Sequence, residues 1–245
     1  MMSVLTLRLL GRSMPKNASR WRGRLTLATS LLIAEHGVPS LGNFRDPIRE
    51  IFYIVLSAQT GEDSYQAANR RLWRQFGTLA AIANAPLREI RRTVETAGLG
   101  MKRAVQLRQI ARKLIEDFGS RPGRALRRLS PYEAFHYLTS LPGVGPKSAL
   151  CVMMYSLDMD VFPVDAHVQR VLERMGARSP GPKHYHAQQY LPGLVPPGLS
   201  KDLHVTLIVH GRKVCRALRP DCPSCVIRHL CRTGCRSMPA VTVTR

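Results

Sequence analysis

The sequence predicts an all-α fold, and three observations support this prediction. Apolar residues recur at helical spacing along most of the chain, helix start and stop signals separate the periodic segments, and no segment alternates convincingly as a strand would. The 245 residues are enough for one large domain or two small ones, and the hydrophobic fraction of 44% excludes general disorder. The chain has no apolar run of about eighteen residues, so no membrane span is expected.

The first half of the chain contains five predicted helices. An apolar stretch that leads to Gly37 predicts the first of them, since glycine commonly ends a helix. A proline lies near the start of the second helix, and Asp63 is a candidate N-cap for the third. The fifth begins at Pro86 and stops before Gly98. These signals predict helices over 25–34, 45–57, 63–76, 78–85 and 86–97.

The second half begins with the clearest amphipathic helix, which Gly119 follows as a C-cap. Ser130 with Glu133 three residues later forms a capping box. Gly176 ends the last predicted helix, and the proline- and glycine-rich segment 178–200 is expected to connect two lobes around a short helix. Helices are predicted over 102–118, 130–140, 146–157 and 165–175.

The charge of the chain points to polyanionic partners. Lysine and arginine number 37 against 16 acidic residues, for a net charge of +21. Nucleic acid is the first expectation, ahead of an anionic membrane or an acidic protein. Most of these cations are arginine, whose guanidinium group matches phosphate oxygens. Charge alone does not distinguish a DNA-binding protein from an enzyme.

Residues 1–34 contain no acidic residue and several arginines. This composition resembles an organelle transit peptide. A basic arm that contacts DNA, or a true start at Met14, explains it equally well. We therefore expect a poorly ordered extension over 1–24 and a cytoplasmic or nucleoid location, with organelle targeting left open.

The motif LPGVGPKSA over 141–149 carries the first chemical signal. Gly143, Val144 and Gly145 resemble the turn of a helix-hairpin-helix, whose backbone N–H groups clamp a DNA phosphate. Lys147 follows in the first turn of a helix, where positive surroundings favour the neutral, nucleophilic amine. The alternatives are a tight helix–helix turn and a surface lysine that contacts phosphate.

Two further polar residues are candidates. Asp165, in the motif VDAH, is either a helix N-cap or a carboxylate that faces Lys147 and stabilises a cationic sugar. Gln59, in the motif LSAQT, is either an ordinary residue at a helix end or a DNA contact. In both cases position alone favours the structural alternative, and only the lysine motif reverses it for Asp165.

Cysteines cluster near the C-terminus, and their spacing indicates a bound metal centre. Four thiols with the spacing Cys-x6-Cys-x2-Cys-x5-Cys can hold a [4Fe–4S] cluster, with zinc and disulfides as alternatives. Cys151, in an apolar helix, is expected in the core, and Cys235 has no assigned role. The four candidate ligands are Cys215, Cys222, Cys225 and Cys231.

Taken in order, these motifs and GLGMKRA over 98–104 resemble the endonuclease III family, the iron–sulfur branch of the helix-hairpin-helix DNA glycosylases. The resemblance covers about residues 40–232. It implies a six-helix barrel over 41–160 and an iron–sulfur lobe built from 25–40 and 161–236, followed by a tail over 237–245. Double-stranded DNA with a damaged base or abasic site would bind a monomer, across the cleft between the lobes.

The resemblance also implies an activity. Lys147 would attack C1′ of a flipped nucleotide, release an oxidised or damaged pyrimidine and nick the strand by β-elimination, with Asp165 stabilising charge. Gln59 would fill the vacated space, and Leu99 would act as a wedge at the opposite strand. The cluster would organise a DNA-facing loop.

Four positions depart from the family pattern, namely Pro146, Ala166, Gly61-Glu62 and Gly100. They bear on the range of substrates more than on the type of reaction. Two other functions remain as alternatives: an adenine-excising glycosylase of the same superfamily, against which Lys147 argues, and a non-catalytic iron–sulfur DNA-binding protein.

Overall fold

The computed structural model describes residue 6 and residues 15–179, 181 and 184–236. Within these residues the fold is all-α, as predicted, and no strand occurs. The predicted tail over 237–245 and most of the extension over 1–24 lie outside the described residues, as does the side chain of Cys235. Among the same described residues, no helix has the length and apolar character that crossing a membrane requires.

The described part of the chain contains helices α1 to α13 and three short 3-10 helices. The α-helices are, in order, Ala18–His36, Pro47–Ser57, Glu62–Phe76, Leu79–Asn84, Leu87–Val94, Gly100–Phe118, Pro122–Leu126, Pro131–Ser140, Pro146–Ser156, Ala166–Met175, His184–Tyr190, Ser200–Lys213 and Arg232–Arg236. The 3-10 helices are Glu95–Ala97, Leu191–Leu194 and Arg228–Leu230.

The chain divides into two compact units. One unit contains residues 42–159, and the other contains residues 1–41 and 160–245. The first therefore has α2 to α9, of which six are longer helices and two, α4 and α7, are short. The second has α1 and α10 to α13, and all four candidate cysteine ligands belong to it.

Helix α2 forms the centre of the 42–159 unit because its side chains are apolar on nearly every face. Ile51, Phe52 and Leu56 have no exposed surface. Asp46 begins the helix by accepting hydrogen bonds at Oδ1 from the backbone N–H of Ile48 (2.8 Å) and of the following residue. The position of α2 sets the geometry of the segment that follows it, which carries Gln59.

The other unit has its own apolar core. Leu25 and Leu32 of α1 pack with Leu172 of α10 and Leu207 of α12, all fully buried. Arg24 donates to the carbonyls of Met175 (3.2 Å) and Leu230 and so ties α1 to the end of α10 and to the cysteine segment. This unit thus holds the cysteine segment against a closed helical core.

Two features differ from the sequence-based expectation. The sequence pattern does not single out α12, because this helix is buried on most faces and therefore lacks a polar stripe. Asp63 is wrong as an N-cap, since Gly61 holds that position and Asp63 is the second residue of α3. There it still favours the helix, because an acidic side chain in the first turn complements the helix dipole.

The capping box at the start of α8 is confirmed in both directions. The Ser130 N–H donates to Glu133 Oε2 (2.7 Å), and the Glu133 N–H donates to Ser130 Oγ (3.3 Å). We expect Ser130→Ala to lower the free energy of unfolding by about 1 kcal/mol. Urea unfolding followed by circular dichroism measures the change, and Ser140→Ala, at the other end of α8, is the matched control. Equal losses in both variants would contradict the capping role.

Candidate functional site

The turn between α8 and α9 is shaped by its glycines. Val144 N–H donates to the carbonyl of Leu141 (3.1 Å), and the Val144 side chain is buried. Gly143 has a φ of 81°, and a Cβ at this position would overlap the amide of Gln106 on α6. Gly145 is extended and serves as the N-cap of α9. The turn therefore presents backbone N–H groups at a helix N-terminus, which suits an anion.

Lys147 is the second residue of α9, directly after Pro146, and its side chain is half-buried. Pro146 costs nothing at the first helical position, because its missing N–H would have no partner inside the helix. The lysine thus extends from the positive end of a helix dipole, next to the backbone N–H groups of the turn. A charged ammonium is disfavoured in this place and a neutral amine is not.

Glu50 is a completely buried carboxyl group in the same unit. Its carboxylate oxygens accept hydrogen bonds from Asn43 Nδ2 (2.5 Å) and Phe44 N–H (2.7 Å). Burial raises the pKa of Glu50 to about 7, and the two hydrogen bonds and the positive charge of Lys147 oppose this rise. Glu50 therefore places a titratable charge within electrostatic reach of the lysine.

Gln59 and Leu99 both adopt the left-handed backbone conformation, with φ values of 57° and 50°. Both side chains are exposed, Leu99 by 55%. Such angles are uncommon for residues other than glycine and often accompany function. The structure thus holds the two predicted DNA contacts in strained turns that present them to solvent.

Arg103 connects these two turns, and the sequence pattern does not single it out. Its buried guanidinium group donates to the carbonyl of Ala58, and its backbone N–H donates to the carbonyl of Leu99 (2.9 Å). Thr60 Oγ1 adds a hydrogen bond to the carbonyl of Ala97 (2.7 Å). The fixed relation between the two turns therefore depends on a buried arginine, which composition cannot distinguish from a surface one.

Gly100, one of the departures from the family pattern, has a local explanation. A Cβ at this position would lie 3.2 Å from Cγ of Arg91, closer than ordinary van der Waals contact. A larger residue would require Arg91 to move. The side chain of Arg91 therefore accounts for the small residue after Leu99.

Asp165 lies in the other unit and caps α10. Its Oδ1 accepts a hydrogen bond from Val168 N–H (2.8 Å), so the structural role considered for it is confirmed. The side chain remains half-buried, and the cap uses only one of its two oxygens in this contact. Ala166, another departure from the family pattern, follows it and is exposed.

Helix α10 also holds the segment that carries the cysteines. Arg174 donates to Sγ of Cys215 (3.2 Å), to the carbonyl of Arg216 (2.7 Å) and to that of Ala217 (2.7 Å). Arg170, one turn earlier, donates to the carbonyl of Cys215 (3.0 Å). One helix thus begins at Asp165 and fixes the backbone around the first candidate ligand.

The four predicted cysteine ligands line one small cavity, together with Arg174. All four are half-buried, and none of the five cysteines with described side chains forms a disulfide. Burial raises the pKa of the Cys225 thiol to about 11, and the other three thiols add to the rise. Within the described residues, no group of three or more histidine, cysteine or carboxylate side chains forms a ready site for a single metal ion. Cys151 is buried in the core of its helix, as expected.

A model of the HhH-GPD superfamily of base excision DNA repair proteins matches residues 52–197. This range exceeds half of the chain and contains Gln59, Leu99, Lys147 and Asp165. The chain belongs to the HhH-GPD superfamily. It is accordingly a base excision repair enzyme, and the four candidate residues lie in the part that the superfamily shares.

Individual relatives of this HhH-GPD protein agree. Endonuclease III of Escherichia coli (strain K12) is 31% identical, over 77% of this chain and 85% of the relative. Endonuclease III of Sulfolobus acidocaldarius is 28% identical, over 78% and 84%. Among solved structures, a trapped endonuclease III–DNA covalent intermediate matches with a TM-score of 0.75 at 26% identity, over 89% of this chain and 98% of that chain. The protein is therefore endonuclease III-like.

The stability of the protein should depend on the protonation of Glu50. The pKa of Glu50 is raised to about 7 in the folded state from 4.5, so the folded state holds this proton more tightly than the unfolded state does. The contribution of Glu50 to the free energy of unfolding should therefore fall as pH rises from about 4.5 to 7 and then level off. Glu50→Gln removes the titration.

Urea unfolding of both proteins at several pH values between 4.5 and 8 measures this contribution as the difference between their pH profiles. Other titrating groups cancel in that difference. Parallel profiles for the wild type and Glu50→Gln would show that Glu50 does not titrate in this range.

Proposed function

We propose that this protein removes oxidised or damaged pyrimidines from duplex DNA and then nicks the abasic site. The observation that carries the proposal is the position of Lys147, half-buried in the first turn of α9 directly after the glycine turn. The turn supplies N–H donors to a backbone phosphate, and the lysine supplies a nucleophile within the same short segment. A protein that only clamps DNA has no need for the second.

The proposed reaction uses the lysine twice. The neutral Nζ of Lys147 attacks C1′ of the flipped nucleotide, the glycosidic C–N bond breaks, and the base leaves with the bonding electron pair and takes up a proton. The sugar ring then opens to give a Schiff base between Nζ and C1′. Loss of a proton from C2′ and departure of the 3′ phosphate oxygen nick the strand by β-elimination.

Other residues receive supporting roles. Asp165 is assigned, from its place in the motif order, as the carboxylate that stabilises positive charge on the sugar or takes up protons. Gln59 is assigned to the space that the flipped base vacates, and Leu99 to a wedge at the opposite strand. Their exposure in left-handed turns supports both assignments, because a side chain that enters a duplex must project from the surface.

Borohydride trapping tests the covalent step. We expect the wild type to form a reduced protein–DNA adduct with duplexes that contain an abasic site or thymine glycol, and Lys147→Ala to form none. The adduct is measured by its slower migration on a denaturing gel.

Lys113→Ala is the matched control, since Lys113 forms an exposed ion pair with Asp117 (3.0 Å) within one helix. It should trap DNA as the wild type does. The proposed mechanism would be wrong if the wild type gave no adduct or if Lys147→Ala were trapped equally well.

We further propose that Cys215, Cys222, Cys225 and Cys231 hold a [4Fe–4S] cluster. The donor set fits this group, because four thiols line one cavity and N–H donors surround the sulfur atoms. Arg174 donates to Cys215 Sγ (3.2 Å), and Gly234 N–H donates to Cys231 Sγ (3.4 Å). Such a cluster would serve to fix the loop between Cys215 and Cys222, whose exposed arginines are suited to DNA phosphates.

Removal of the Arg174 guanidinium should destabilise this centre. We expect purified Arg174→Gln to have a lower ratio of absorbance near 400 nm to absorbance at 280 nm, and less bound iron, because one sulfur and two carbonyls lose their donor. Arg178→Gln, an exposed arginine just beyond the same helix, should behave as the wild type. If both variants kept the full iron content, Arg174 would not support the site.

A further inference from the structure

The 42–159 unit has a large cleft that the proposed reaction does not use. Its volume is about 1100 Å³, within the size range of ligand and peptide sites. It lies among the start of α2, the end of α3, the start of α4, the end of α6 and the short helix α7. The apolar side chains that line it include Pro47, Ile48, Trp73 and Ile115.

Arginines surround this apolar lining. Arg45, Arg49, Arg121, Arg124 and Arg127 all line the cleft and are exposed. One carboxylate, that of Asp46, lies among these lining residues, and it already accepts two backbone N–H groups at the start of α2. The cleft is therefore strongly positive and suited to an anionic ligand with an apolar part.

The cleft lies away from the residues proposed to contact DNA. Helix α2 has Arg49 in its first turn and Gln59 just beyond its end, and its 11 residues span about 16 Å. Helix α6 has Leu99 at its start and Ile115 in its last turn, and its 19 residues span about 28 Å. The two helices thus separate the cleft from the Gln59 and Leu99 turns, and a duplex held at those turns leaves it accessible.

No terminal segment of this chain supplies the complementary charge. Residues 1–34 and 237–245 contain no aspartate or glutamate. A second copy of the chain carries a net charge of +21 and would be repelled. The complementary ligand is therefore a different molecule.

The floor of the cleft favours a polypeptide over a nucleic acid. Single-stranded nucleic acids bind such clefts by stacking bases on aromatic faces. The face of Trp73 is covered by the guanidinium group of Arg49, 5.2 Å from the ring centroid, and its ring also packs edgewise against Phe52. The aliphatic floor of Pro47, Ile48 and Ile115 instead matches an inserted apolar side chain, the usual anchor of a peptide in a groove.

We propose that this cleft binds an acidic segment of a partner protein, which inserts an apolar side chain against Ile48 and Ile115 and pairs its carboxylates with the surrounding arginines. Fork-shaped guanidinium groups bind carboxylates in two places at once, so several arginines around one groove select for acidic sequences. The partner would bind while DNA occupies the other end of the unit.

Selection from a phage library of random 12-residue peptides tests this proposal on the full chain. The selection is done at 150 mM salt with excess duplex DNA, which occupies the DNA-binding surface. We expect the enriched peptides to combine several aspartates or glutamates with at least one leucine, phenylalanine or tryptophan. The best peptide is then synthesised with a fluorescein label, and its affinity is measured by fluorescence anisotropy.

The double variant Arg121→Glu/Arg124→Glu should weaken this peptide by about tenfold or more, as expected for two reversed charge contacts. Arg128→Glu is the matched control, because Arg128 is exposed on the same segment but does not line the cleft. In a Trp21→Phe background, which leaves Trp73 as the sole tryptophan, the peptide should also change the tryptophan fluorescence.

Three outcomes would overturn the proposal. The first is a selection that yields no acidic, apolar consensus. The second is a peptide that binds the double variant as tightly as it binds the wild type. The third is a double variant that loses duplex DNA affinity as strongly as it loses peptide affinity, since the cleft would then be part of the DNA surface.

Discussion

Irregular segments carry most of the candidate functional residues, and the carbonyl groups of these segments need hydrogen-bond donors from outside a helix. Arginine side chains supply them. Arg103 donates to the turn before Gln59, Arg174 to the loop after Cys215, and Arg127 to the carbonyls of Ser156 and Arg45. A guanidinium group suits this role because it presents five N–H donors in a rigid fork and remains charged at any physiological pH.

This constraint explains how strained turns persist. A left-handed backbone costs about 1–2 kcal/mol for a residue other than glycine, so Gln59 and Leu99 would relax without support. Arg103 supplies part of that support by contacting the backbone next to Gln59 and the carbonyl of Leu99. In the other unit α10 has the same function, since it begins at Asp165 and carries Arg174 to the cysteine loop. Each unit therefore couples its candidate chemistry to one rigid helix.

Local signals in the sequence predicted most helices because each depends on neighbouring residues. The capping box and the glycines that end α1, α6 and α10 are of this kind. Helix α12 escaped because burial on most faces removes the polar stripe, and it even includes buried His204 and His210. The candidate residues themselves were named from the sequence, but the arginines that position them were not. Arg103 and Ala58 are separated by 45 positions, and no local pattern indicates such a contact.

The same chemistry divides the net charge of +21 into parts with different roles. An arginine whose donors bind backbone carbonyls has fewer left for phosphate, so the charge that faces DNA is smaller than the total. Arg216 and Arg219 remain exposed in the cysteine loop, where phosphate contacts would weaken steeply with salt as counterions return to the DNA. The arginines around the Ile48 cleft differ again, because an apolar floor lies beside them. Association there would gain from apolar burial as well as charge, and apolar burial does not weaken as salt screens the charges.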